Sequence, residues 1–121
     1  MAKILLIEDD ILIQKTVGSK LRKEGFDVIS CSDGKEGIDK ITTELPDIVI
    51  TDVMLPYVSG LEIVSAVKNI KDKDIRTIVL STMGQEKIVE EAFELGADDY
   101  ITKPFSLTEL SIRIKKQLSR T

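Results

Sequence analysis

Ile4-Leu5-Leu6-Ile7-Glu8-Asp9 holds the fold in miniature: four apolar residues of strand type run into two adjacent acids. The pattern recurs. Asp52 comes after Ile48-Val49-Ile50, Ser81 after Ile78-Val79-Leu80, and Lys103 after Tyr100-Ile101, just before Pro104. In an open parallel sheet such strand ends lie side by side, so three carboxylates, a hydroxyl and an ammonium would share one crevice. Carboxylates packed together repel one another, and a bound divalent cation removes that repulsion. The residues suggest a hard metal ion, a phosphoryl group, and Asp52 as its acceptor.

Between these stretches the periodicity changes. Strands are predicted at 3–7, 26–31, 47–51, 76–81 and 98–102, short and rich in Ile, Val and Leu, as strands covered on both faces should be. Ile13, Val17 and Leu21 repeat at helical spacing before Gly25, Ile38 and Ile41 carry a shorter stripe, and Gly96 closes a fourth helix after Ile88, Ala92 and Phe93. Asp33 with Glu36, Ser59 with Glu62, and Ser106 with Glu109 have capping-box spacing, in which the cap oxygen takes an amide and the acid reaches back. Val58 with Ile63 and Phe105 with Leu110 are spaced as hydrophobic staples. Alternating strands and helices predict an α/β, doubly wound sheet.

Composition narrows the function. The 121 residues suit one domain, and 17 Lys and Arg against 21 Asp and Glu leave a net charge of -4, which argues against direct nucleic-acid binding. The longest apolar run is Ile4 to Ile7, so a soluble, cytoplasmic protein without membrane attachment is expected. The absence of histidine excludes a Ser-His-Asp triad, a His-based zinc site and an intrinsic phosphohistidine. Cys31 reads as a buried, inert thiol.

The whole chain resembles a response-regulator receiver domain of the chemotaxis-regulator type, the signal receiver of two-component systems. Glu8-Asp9 resembles the family's acidic pair, Asp52 its phospho-acceptor, Pro56 and Gly60 the marks of the following loop, Ser81 its switch hydroxyl, Tyr100 its switch aromatic, and Lys103-Pro104-Phe105 its Lys-Pro-Phe motif. The resemblance implies a (βα)5 sandwich, a five-stranded parallel sheet of order 2-1-3-4-5 with helices on both faces, and a single receiver domain over residues 1–121. It further implies phosphoryl transfer onto Asp52 from a histidine kinase or histidine phosphotransfer protein, with Mg²⁺ or Mn²⁺ as cofactor. Asp9 and Asp52 would be metal ligands, with Met54 contributing a backbone carbonyl and Glu8 holding a metal-bound water. Lys103 and Ser81 would compensate phosphoryl charge, and Ser81 and Tyr100 would carry the switch to a downstream protein. The Lys103-Pro104 bond resembles one that is commonly cis in the family.

Each assignment has a plainer rival. Asp10 reads as the N-cap of the first helix, Tyr100 could be an ordinary strand aromatic, and Lys103 and Ser81 could be a surface cation and a strand end. As a class, a Mg²⁺-dependent phosphohydrolase would want an acid two residues after Asp52, where Met54 stands. A receiver-shaped module that is never phosphorylated is the other alternative. The expected role is a switch that catalyses its own phosphorylation and dephosphorylation. Residues 96–105 with Glu109 and Arg113 resemble receivers of winged-helix transcription regulators, which pair through the fourth helix, fifth strand and fifth helix. That subfamily needs basic residues where this chain has Val89, Glu90 and Glu91, so a monomer is expected before phosphorylation. Met54 and Met83 fall where the family's hydrolytic water passes; thioethers cannot orient water, so slow decay of phospho-Asp52 is expected.

Overall fold

Ile4 and Leu6 face one way and Leu5 and Ile7 the other, because successive side chains of a strand alternate. All four are fully buried. Such a strand must be covered on both faces, which is what a central parallel strand requires. The computed structural model describes residues 2–82 and 84–119. Strands β1 (Lys3–Ile7), β2 (Asp27–Cys31), β3 (Ile48–Asp52), β4 (Arg76–Ser81) and β5 (Asp99–Thr102) alternate with helices α1 (Ile11–Lys23), α2 (Gly34–Glu44), α3 (Gly60–Lys68), α4 (Glu86–Glu94) and α5 (Leu107–Ser119). The strands form one parallel sheet of order β2-β1-β3-β4-β5.

The two faces are distinct cores. Ile4, Leu6, Ile48, Ile50, Ile78 and Leu80 pack against Val17 and Leu21 of α1 and Leu110 and Ile114 of α5. Leu5, Ile7 and Val49 meet Ile41 of α2 and Ile63 and Val67 of α3, while Val53, Val64 and Val79 meet Ala92 of α4. Each fully buried Ile or Leu contributes about 1.5–3 kcal/mol by its removal from water. Apolar spacing marked α1, α2 and α4, and cap and staple spacing marked α3 and α5, with one departure. Phe93 is half-exposed, because α4 presents Ala92 to the sheet and Phe93 lies about 100° further round the helix.

The limits of β1 and β4 are as predicted and those of β2, β3 and β5 shift by a residue; the shift at β3 matters because Asp52 closes that strand instead of standing beyond it. The predicted caps form. Asp33 accepts from the Glu36 amide at 2.8 Å, Ser59 from Glu62 at 3.3 Å, and Ser106 from Glu109 at 3.1 Å. Among the described residues the glutamates make no return bond to the caps, and all three are exposed.

At the amino ends of the strands a polar clasp ties all five together. The Lys3 amide donates to the Asp47 carboxylate at 2.7 Å, and the Lys73 ammonium lies 2.9 Å from the same group. The Asp47 carbonyl accepts from the Arg76 amide, and the Asp98 carboxylate accepts from the Thr77 amide at 2.9 Å. The Asp27 amide donates to the Ala2 carbonyl, adding β2 to the clasp. Burial opposes the charge of Asp47, but the Lys3 amide and the Lys73 ammonium outweigh it and hold the carboxyl below its usual range.

Candidate functional site

Parallel register decides which side chains meet at the opposite edge. Ile7 pairs with Thr51, Asp52 with Leu80, and Ser81 with Thr102, so the ends of β1, β3, β4 and β5 are level. Glu8 and Asp9 leave β1 there, and Lys103 leaves β5. Ligand oxygens of Glu8, Asp9 and Asp52 lie within 4.8 Å of one another, a group that could hold a metal ion.

Their environments differ. Glu8 is fully buried and Asp52 is 7% exposed, whereas Asp9 is open to solvent. The Lys103 ammonium lies 2.6 Å from Glu8 Oε1 and 2.9 Å from Asp52 Oδ2, bridging two buried acids. The other Glu8 oxygen accepts from the Asp10 amide at 3.2 Å. Burial pushes the Glu8 pKa up, more than the Lys103 hydrogen bond and the Asp10 amide pull it down. For Lys103 burial opposes the charge, but hydrogen bonds and attraction from Glu8 and Asp52 prevail and raise its pKa. Three carboxyl groups against one ammonium leave an excess of acid, the donor set a hard cation would neutralise. Oxygen ligands alone, with no thiol or imidazole, suit Mg²⁺ or Mn²⁺ over softer metals.

Asp10 is the N-cap of α1, its Oδ1 accepting from Leu12 and Ile13 amides at 3.0 and 3.2 Å. Ser81 is fully buried at the end of β4, and its carbonyl accepts from the Lys103 amide at 2.8 Å. Tyr100 is half-buried, packed on the cluster that holds α4. The Lys103-Pro104 bond is cis. The Met54 amide stands 3.4 Å from Asp52 Oδ1, and its side chain is 61% exposed, so no acid occupies the position a phosphohydrolase would use. Met83 lies outside the described residues.

The loop after β3 is pressed against its surroundings. A Cβ on Gly60 would come within 2.0 Å of the Asp52 carbonyl oxygen, so only glycine lets α3 start this close to the acceptor strand. The Pro56 carbonyl accepts from Gly34 at 3.2 Å and from Val58 at 2.8 Å. The second bond spans two residues and closes a γ-turn whose centre, Tyr57, has φ 70° and is 83% exposed. Beside the crevice, an apolar groove of about 480 Å³ runs between α1 and the turn into α5, lined by Leu12, Ile13, Thr82, Pro104, Phe105 and Leu107.

Sequence reasoning did not single out Gln14, whose side chain ties the β1 and β2 ends together. Its place six residues after Glu8 has no motif; the link arises only because β2 lies beside β1.

The family model described as the response regulator receiver domain matches residues 4–115. The chain is 37% identical over 121 residues to the alkaline phosphatase synthesis transcriptional regulatory protein PhoP of Bacillus subtilis, covering 98% of this chain and 49% of that one. It is 38% identical over 119 residues to the probable transcriptional regulator ycf27 of Guillardia theta, covering 98% and 46%. The chain thus spans about half the length of these curated relatives. Among solved structures, the receiver domain of the Francisella response regulator 1452 superposes with TM-score 0.91 at 32% identity, covering 99% of this chain and 98% of that one. The BeF3-activated DrrB receiver domain gives TM-score 0.90 at 37% identity, covering 99% of each.

Proposed function

The chain belongs to the response regulator receiver domain family, and on that premise we propose that Asp52 accepts a phosphoryl group from a partner's phosphohistidine and that the new charge resets a protein-binding surface. The observation that carries this reading is the position of Asp52 at the end of β3, one oxygen 2.9 Å from the Lys103 ammonium and the carboxylates of Glu8 and Asp9 close by. A carboxylate oxygen of Asp52 attacks phosphorus, a P–O bond forms, and the P–N bond to the donor imidazole breaks with its electron pair returning to nitrogen. Lys103 neutralises charge on the phosphoryl oxygens, and the Ser81 hydroxyl donates to one of them. Mg²⁺ or Mn²⁺, held by Asp9, Asp52 and the Met54 carbonyl with Glu8 on a bound water, would supply the remaining charge neutralisation.

The phosphoryl group carries about -1.5 to -2 charges and attracts Ser81 at the end of β4. Tyr100 relays that shift to the α4–β5 surface, a role supported by its packing on the same cluster as Ala92 of α4. The apolar groove flanked by Leu12, 74% exposed, is suited to a helix of the phosphodonor. The transcriptional relatives support an output in gene regulation. The exposed Met54 thioether offers no group to activate water, and the aspartyl phosphate is expected to persist.

Incubation with acetyl phosphate and Mg²⁺, read by intact mass, should add one phosphoryl group to the wild type and to Asp10→Asn but none to Asp52→Asn. Full modification of Asp52→Asn would remove Asp52 as the acceptor.

A further inference from the structure

Asp9 differs from its neighbours in having nothing to aim it. Among the described residues its carboxylate makes no hydrogen bond or ion pair, whereas Glu8 is held at both oxygens and Asp52 by Lys103. The direction of the Asp9 side chain therefore rests on its backbone. That backbone is fixed from one side chain. In the first turn of α1, Gln14 Nε2 donates to the Glu8 carbonyl at 2.9 Å and to the Cys31 carbonyl at 3.1 Å, with Ser32 Oγ 3.3 Å away.

The Cys31 carbonyl also accepts from the Glu8 amide at 3.0 Å. Glu8 is thus tied to the end of β2 twice, directly through its N–H and through Gln14 by its C=O. The second tie sets the plane of the Glu8–Asp9 peptide, and with it the Cα–Cβ direction of Asp9. Both carbonyls can only accept, so the amide nitrogen must face them and the device requires a donor at position 14.

We propose that Gln14 is a positioning residue for the acidic pair: by locking the Glu8–Asp9 peptide to β2 it holds the Asp9 carboxylate in reach of Asp52 for a divalent cation. The inference rests on the metal-binding reading above and adds a residue that reading does not contain. An outer residue that orients a metal ligand commonly changes metal affinity by about 10-fold or more when removed.

The test uses Gln14→Met, which keeps length and helix propensity without a donor, and Gln14→Arg, which restores N–H groups while adding a charge that by itself opposes cation binding. Mg²⁺ affinity is measured by titration calorimetry, and the Glu8, Asp9 and Asp10 amides are followed in nitrogen–proton correlation spectra. The Met variant should bind Mg²⁺ roughly 10-fold more weakly, with displaced or broadened Asp9 signals before metal is added. The Arg variant should lose less than the Met variant despite its charge. Unchanged affinity in Gln14→Met, or equal losses in both variants, would overturn the role of Gln14 and leave the metal reading intact. No Mg²⁺ binding by the wild type would overturn the metal reading itself. If Gln14→Met does not fold, the Arg variant decides through its Asp9 signals: wild-type positions support the donor role, and loss of order there refutes it.

Discussion

The Lys103 ammonium sits 2.6 Å from Glu8, a shorter contact than the 2.9 Å it makes with Asp52. Glu8 is nonetheless raised in pKa, because full burial costs its charge more than Lys103 returns. A folded-state pKa above the ordinary 4.5 means the native protein holds this proton longer than the unfolded chain. Its contribution to stability is complete below pH 4.5 and is lost as pH rises through the raised value. Glu8→Gln removes that linkage. The stability difference between variant and wild type, from urea midpoints in the absence of metal, should move in favour of Glu8→Gln as pH climbs from 4.5 to neutrality. A flat difference would show that Glu8 ionises in the fold as easily as in water, and one that moves the other way that it ionises more easily there.

Cys31 is 1% exposed, and burial, followed by the Glu36 carboxylate, pushes its pKa up to about 12 from 9.0. The native thiol should be inert to a disulfide reagent at pH 8 and react only at the rate of unfolding. Stability contributed by the protonated thiol is intact below pH 9 and is lost as pH rises toward 12. Rapid labelling of the native protein would contradict the burial.

Tyr57 occupies a left-handed backbone conformation at the centre of the γ-turn while its side chain is almost wholly in solvent. A side chain there costs about 1–2 kcal/mol in sterics, and glycine adds back about 0.5–1 kcal/mol of unfolded-state entropy. Tyr57→Gly should therefore leave the protein slightly more stable, by about 0.5–1 kcal/mol in chemical denaturation. A clear loss of stability would mean that the ring makes a contact the backbone geometry does not reveal.

Arg113 lies 2.8 Å from Asp99 and 4.0 Å from Glu109, both in its own chain. Asp98 pairs with Arg76 at 3.7 Å. Asp98, Asp99 and Arg113 are thus already engaged internally, while Glu86, Glu90 and Glu94 make α4 acidic. Light scattering should find a monomer at micromolar concentration without phosphorylation. A tight dimer through this face would show that the Arg113–Asp99 pair exchanges for contacts across the interface.

The shared edge of Glu8, Asp9, Asp52, Ser81 and Lys103 was legible because parallel sheets encode position simply: an apolar run ends, and the next residue is at the crevice; the strand order was implied only by the resemblance to receiver domains. Helix caps at Asp33, Ser59 and Ser106 were legible because the partner is local. What escaped depends on neighbours remote in sequence. Gln14 matters only where β2 abuts β1. Ser111 and Gln117 are buried polar residues of α5 with no local signal, and Ser111 donates to Glu24 at the end of α1. Phe93 read as part of an apolar helix pattern, yet the short α4 needed only Ala92 to seat it. The turn at Tyr57 carries no glycine to announce its positive φ.

The clasp at the amino ends of the strands gives the domain a mechanical asymmetry. With Asp47 and Asp98 pinning backbone amides of neighbouring strands, the sheet resembles a plate clamped along one border. A clamped plate resists slippage between its strips, so its strand register holds even where side chains at the opposite border rearrange. If Asp52 is phosphorylated as proposed, work done by the new charge would go into loops and helix ends at the opposite border, with the strand register as the fixed frame against which that displacement is measured.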